Sequence, residues 1–312
     1  MASGGPYRYG NGGIGSDSSI CAEILASVDQ TTRKSIIEHL AIERQGRKSG
    51  DIMTILDSTG GDWNQTMHIM LLKFIGGFDN RDAAMELARR IPHATIMRER
   101  CSKLLIEALL IGTSGLLELY DDGDDYIRML KLEYAHLAAK YSLEAMAASA
   151  WKFVNVQTNN HPVLRLAQLA ASYFEQEITM SNVVRCHNLN DIYRLFSGHA
   201  SEYWLTNFIP HTTMHGAANR FGKMKSELLG INFVSQMIYA YGSYTHSEAL
   251  ISQATQILRE IPAEDNRYIK IWNSYDKVAI TAYDSQALIQ LSREYCHRQY
   301  CHRCPLKQYI GR

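Results

Sequence analysis

The sequence has no long apolar run. Nothing in it approaches the roughly 18–20 consecutive apolar residues that span a bilayer, and its opening stretch, residues 1–13, lacks the apolar centre of a secretory signal. Neither a membrane partner nor export is expected, and the chain is read as cytoplasmic. Net charge is also missing: Lys+Arg and Asp+Glu each number 32, so any nucleic-acid contact must come from a local patch and not from a global field. The common catalytic signatures are absent as well. Without His-Glu-x-x-His, a Walker-type loop or Gly-x-Ser-x-Gly, the usual metalloprotease, nucleotide-hydrolase and esterase readings fall away. Six cysteines are too few for a disulfide framework in a chain of 312 residues, and a reducing compartment would keep them as thiols. Clustered cysteines then become metal candidates.

What is present is an ordinary globular composition, 46% apolar and 21% charged, which can bury a sizeable core. Alternating strand-like patterns are scarce, residues 151–156 being the one stretch to watch, and the fold class expected is all-α, a bundle-like array of helices. Residues 1–20 are Gly/Ser-rich and poor in apolar groups, a flexible leader. A helical domain over 21–312 follows, with a seam near the polar stretch 158–161 and a cysteine cluster over 295–305. Ile36, Ile37, Leu40 and Ile42 open the first amphipathic helix, and Gly60-Gly61 stops its continuation. Asp62 caps a helix carrying Trp63, Met67, Met70, Leu71 and Phe74. Further helices are expected from Asp79 to just before Ile91-Pro92, and near 94–112, 124–141, 162–176, 190–206, 222–242, 246–260, 265–274 and 284–296. Most of the six prolines sit at the resulting boundaries, as Pro92, Pro162 and Pro262 do.

The C-terminal run Cys296-His-Arg-Gln-Tyr-Cys301-His-Arg-Cys304 carries the clearest chemistry. Three thiols at this spacing converge on one point. They suit a tetrahedral zinc site, and they also match the first three ligands of a plant-type iron–sulfur cluster. A fourth ligand must come from elsewhere. Cys21, Cys186, His297 and His302 are the candidates, with Cys21 preferred because joining the two ends would close the fold. The same tail interleaves Arg298, Arg303 and Lys307 with Tyr300, a combination of charge and stacking faces that suits nucleic acid as well as it suits a solvated chain end.

Two weaker patterns stand beside it. Gly10-Asn-Gly12-Gly-Ile-Gly15 satisfies Gly-x-Gly-x-x-Gly, but no strand precedes it and no dinucleotide cofactor is expected. Glu133/His136 and Glu294/His297 are Glu-x-x-His pairs of the kind that di-iron bundles use, although two further bridging glutamates cannot be identified.

Several segments also resemble a known family. Ile261-Pro-Ala-Glu-Asp-Asn266, Ala282-Tyr-Asp-Ser-Gln-Ala-Leu288 and Tyr295-Cys296 with Cys301 and Cys304 look like the end of bacterial domain-of-unknown-function family 2851, DUF2851. Upstream, Ala150-Trp-Lys-Phe153, Arg165-Leu-Ala-Gln168, Glu107-Ala-Leu-Leu-Ile-Gly112 and Glu43-Arg44 with Arg47-Lys48 extend the likeness over nearly everything after residue 20. The resemblance implies that Cys296, Cys301 and Cys304 are a shared feature, and that Cys21 matches a cysteine near the junction with a preceding nuclease-like region. On this resemblance the chain corresponds to the family's C-terminal helical part, and that preceding region is absent. The function expected is therefore a helical accessory or interaction protein with a Cys-based zinc or iron–sulfur site, contacting nucleic acid or a partner protein. The alternative is a metal-dependent enzyme of the di-metal or nuclease-related type.

Overall fold

The computed structural model describes residues 16–154, 160–213 and 219–309. The chain is all-α, as the periodicity predicts. Its helices, in order, are α1 (Ser16–Ser27), α2 (Gln30–Ser58), α3 (Trp63–Ile75), α4 (Arg81–Arg90), α5 (His93–Arg98), α6 (Lys103–Thr113), α7 (Asp125–Tyr141) and α8 (Pro162–Gln176). They continue as α9 (Met180–Val184), α10 (Leu189–Leu195), α11 (Tyr203–Thr206), α12 (Lys223–Leu229), α13 (Ser235–Tyr244), α14 (Glu248–Glu260), α15 (Arg267–Trp272) and α16 (Ala282–Gln290). A short antiparallel hairpin, β1 (Asn207–Ile209) with β2 (Thr212–Thr213), is the only sheet among the described residues. No described helix is long and apolar enough to cross a membrane.

Contacts divide the chain into two compact units, one formed by residues 1–48 with 258–312 and the other by 49–257. The seam expected near 158–161 overlaps 155–159, which lie outside the described residues; the contact division runs at 48/49 and 257/258. Of the expected leader, residues 1–15 are outside the described residues, together with the Gly10–Gly15 pattern, and helix begins at Ser16.

In the first unit α1 packs on α15 and α15 on α16. The long helix α2 buries Ile36, Ile37, Leu40 and Ala41, a stripe spaced by three and four residues. Ile42, expected on that stripe, is 54% exposed, because one further residue along a helix turns the side chain roughly 100° away. The α16 backbone does not stop at Gln290. It widens into a π-helical turn over Leu291–Cys296, where His297 N donates to Ser292 O at 2.9 Å and Tyr300 N to Tyr295 O at 2.9 Å. Such one-turn widenings often mark functional positions. The tail then folds back in two short 3-10 turns, with Leu306 fully buried.

In the second unit α3 packs on α4, and α6 packs on α7 and α8. Asp62 caps α3 as expected, accepting from Asn64 N and Gln65 N at 2.9 and 3.0 Å. Pro162 opens α8, where its missing N–H costs nothing. The helix expected over 94–112 is two helices, α5 and α6. The intervening Glu99 is buried and accepts from Lys140 at 2.6 Å and from the Tyr141 hydroxyl, a tertiary anchor invisible to periodicity. The helix expected over 190–206 is likewise broken at Gly198, where a Cβ would lie 2.5 Å from the carbonyl carbon of Ala171. The stretch watched as a strand, 151–156, is described to residue 154 and forms none. Its Lys152 backbone is matched by the Asn80 side chain, which accepts at 2.7 Å and donates at 2.9 Å. Residues 155 and 156 lie outside the described residues.

Candidate functional site: a thiol group and a cation cluster in the first unit

The three cysteines singled out by spacing, Cys296, Cys301 and Cys304, and the preferred fourth ligand, Cys21, all belong to the first unit. Cys21 is half-buried on α1, Cys296 ends the π-helical turn, Cys301 is exposed at the first 3-10 turn and Cys304 is buried behind it. Burial pushes the Cys296 thiol up to about 12, and the neighbouring thiols of Cys21, Cys304 and Cys301 add to that rise. Cys304 is raised by the same cause, burial first, with Cys301 contributing. The other three side chains are thus within electrostatic reach of Cys296. Among the described residues, however, no set of three or more Cys, His, Asp or Glu groups stands in a metal-holding arrangement.

Thiols are the donors that zinc or an iron–sulfur cluster takes, four at a time, and a cation would offset the repulsion between neighbouring thiolates. The other candidates for the fourth ligand have neighbours of their own. His297 packs 5.6 Å from the Tyr268 ring and His302 5.9 Å from Tyr300. Cys186 belongs to the second unit, where its thiol points at Asn182 O, 3.5 Å away, and is raised to about 12 by burial.

The tail residues matched to nucleic acid are exposed, Tyr300 by 42%. Arg298 is paired with Glu294 at 2.9 Å. Glu294 also lies 3.8 Å from Arg47, so the acid of one Glu-x-x-His pair is shared between two arginines. The other pair, Glu133/His136, sits on α7 in the second unit.

Beside the thiols lies a group that the residue-by-residue reading of the sequence missed. Arg44, Arg47 and Lys48 recur at three and four residues on α2 and so share a face, where like charges repel. Gln286 and Gln290 answer them from α16. Gln286 Oε1 accepts from Arg44 Nε at 2.6 Å and from Lys48 Nζ at 3.1 Å, and Gln290 Oε1 accepts from Arg47 Nε and Nη2 at 3.4 and 3.3 Å. Glu264 receives the Gln286 amide, and Arg293 adds a further cation from the π-helical turn. Arg44 is only 5% exposed, and its guanidinium is lowered to about 10, by burial first and then by Arg47. Lys48 is pushed well below the usual lysine range by burial and by Arg44. Arg44 Nη1 has no hydrogen-bond partner among the described residues. The signal available in the sequence was the like-charged Arg-x-x-Arg-Lys spacing itself, which surface helices avoid.

A cleft of about 690 Å³ elsewhere in this unit is lined by the cations Arg33, Lys34, Arg259 and Lys277. Arg33 pairs with Asp276 at 2.7 Å, and Arg259 stacks 4.7 Å over Tyr283.

The second unit contains its own buried polar networks. Glu107 is fully buried; it accepts from the Tyr126 hydroxyl, from Trp204 Nε1 at 3.2 Å and from Ser201 Oγ at 2.8 Å, and burial raises its carboxyl. Arg165 donates to Gln168 and Asn160 at 2.9 and 2.7 Å and stacks 5.6 Å over Phe221. Lys225 is lowered to about 7 by burial and then by Arg165, and it donates to Phe74 O at 2.7 Å.

These features describe an all-helical protein with cysteines and a buried cation cluster on one unit and buried polar networks on the other. The chain belongs to the family described as Protein of unknown function (DUF2851), whose profile covers residues 13–267. That span includes Cys21, Arg44, Arg47, Lys48 and Glu264, whereas Gln286 and the Cys296, Cys301, Cys304 triplet lie beyond it. No curated protein and no solved structure matches the chain.

Proposed function

We propose that the chain is a non-catalytic helical accessory protein in which Cys21, Cys296, Cys301 and Cys304 hold zinc or an iron–sulfur cluster. The metal pins the C-terminal tail to α1 and presents Arg298, Tyr300, Arg303 and Lys307 as an ordered surface for nucleic acid. The observation that supports this reading is the rise of the Cys296 thiol, caused first by burial and increased by three thiols drawn from both ends of the chain. Thiolates gathered this way without a cation repel one another, so metal binding becomes folding free energy for the tail. A reducing, cytoplasmic setting keeps such thiols available.

The test is metal analysis with a visible absorption spectrum on protein purified without oxygen, comparing wild type with Cys304→Ser. Zinc, or iron with sulfide and a brown colour, should be present in wild type and lost in the variant, with a lower melting temperature. Wild-type protein that carries no metal and takes up neither zinc nor iron would sink the reading.

A further inference from the structure

We propose that the cleft lined by α2, the last turn of α14, the segment before α16 and the first turn of α16 binds a small organic molecule that carries at least two anionic groups on an apolar frame. This goes beyond the metal reading and does not depend on it.

The cleft lies within one unit, since every residue that lines it falls in 1–48 or 258–312. Its volume of about 690 Å³ is that of sites which enclose small molecules. Ile37, Val278 and Tyr283 are buried in its wall, while Ile280, which also lines it, is 64% exposed. A ligand frame laid over Ile280 removes apolar surface from water, which favours binding without regard to charge.

The lining charges select the sign. Arg33, Lys34, Arg259 and Lys277 face two carboxylates, Glu38 and Asp284. Arg33 is engaged with Asp276 at 2.7 Å, and Arg259 with the Tyr283 ring. Asp284 is engaged as well, accepting from Ile280 N at 3.0 Å and from Thr281 N at 2.9 Å. What is left is Lys34 and Lys277 with Glu38. Glu38 follows Lys34 by four residues on α2, the spacing of a helical ion pair, yet the two form none. Neither lysine has a hydrogen bond or an ion pair among the described residues, and both are exposed. An anion therefore reaches them from solvent without displacing a protein partner.

The wall and the charges together select the ligand. Exposed ion pairs contribute little by themselves, because water and salt screen them. A compact inorganic ion would gain only those pairs. An organic anion adds burial against the apolar wall, and two charged groups engage Lys34 on α2 and Lys277 before α16 at once. Glu38 excludes a cationic group from forming its own pair only weakly, so it sets specificity among anions by repelling those with charge on its side of the cleft.

The test titrates the full chain by calorimetry at low salt with three probes. Naphthalene disulfonate has an apolar frame and two fixed negative charges, inorganic tripolyphosphate has charge without a frame, and a short oligo-glutamate peptide carries its charge on a polymer. Lys34→Glu and Lys277→Glu reverse the two unengaged cations, and Lys152→Glu reverses an exposed lysine of the second unit as a control. Each variant is checked for native helix content. Wild type should bind naphthalene disulfonate more tightly than the other probes, with affinity falling by about tenfold or more in both cleft variants and unchanged in Lys152→Glu. The proposal is overturned if wild type does not bind naphthalene disulfonate, if either cleft variant binds it as wild type does, if Lys152→Glu loses as much, or if tripolyphosphate or the peptide binds more tightly. Cys304→Ser should bind as wild type does, so a failure of the metal reading and a failure of this one are separate results.

Discussion

The indole Nε1 of Trp272 donates to Ser292 Oγ at 2.7 Å, and Ser292 Oγ in turn donates to Leu288 O at 2.9 Å. Trp272 is almost fully buried on α15, so this pair ties that helix to the first residues of the π-helical turn. Trp272→Phe keeps most of the apolar contact and removes the donor. A loss of about 1–2 kcal/mol is expected in urea unfolding followed by circular dichroism. An unchanged midpoint would mean that the bond contributes nothing.

Glu107 collects donors from α7, α11 and the segment between them in the second unit. Glu107→Ala removes the acceptor and strands the Tyr126, Ser201 and Trp204 donors together. The expected cost is about 3–5 kcal/mol, the range for removing one partner of a buried charged network. Glu107→Gln preserves part of the network and should cost less. Equal losses for the two would contradict the assignment.

At Gly115 the backbone is left-handed, with φ 75°, and an added Cβ would lie 1.9 Å from Met146 O. Gly115→Ala therefore meets both strain and a backbone clash that no rotamer relieves. A destabilisation of at least about 2 kcal/mol is expected in thermal melts. Gly222→Ala, in open space with no positive φ, serves as the control and should be nearly silent.

Three histidines in the second unit are held neutral. Burial lowers His161 to about 4, and burial likewise lowers His68 and His93, with His93 adding to the effect on His68. Each binds a proton more weakly folded than unfolded. Stability from these groups is complete above the unfolded value near 6.5 and falls as pH drops from there toward 4. The melting temperature should decline between pH 7 and 5, with net proton uptake on unfolding, both read from calorimetry. A melting temperature that rises over that interval would refute it.

Thiol exposure divides the cysteines chemically. Cys101 is exposed, whereas Cys186 is buried with its thiol raised to about 12. A maleimide reagent at neutral pH, followed by mass spectrometry, should label Cys101 well before Cys186 in native protein. Equal rates would indicate that the Cys186 environment opens readily.

Local signals were legible wherever the chain supplies its own reason for a boundary. Asp62 reaches two nearby N–H groups, Pro162 fits the first turn of α8, and Gly76 follows α3. Boundaries set by distant groups were not. The break at Glu99 depends on Lys140 and Tyr141, and the one at Gly198 on the backbone of Ala171. The same distinction separates the two candidate sites. Cys296, Cys301 and Cys304 announce themselves by spacing. The cation cluster needs Gln286 opposite Arg44, a pairing across 242 positions that no local pattern encodes.

The π-helical turn over Leu291–Cys296 carries Arg293 and Glu294 in its middle and Cys296 at its end. Its pitch is therefore a common joint for the cation cluster and the thiols. Arg293 and Cys296 cannot shift independently: a change in the pitch of the turn moves both.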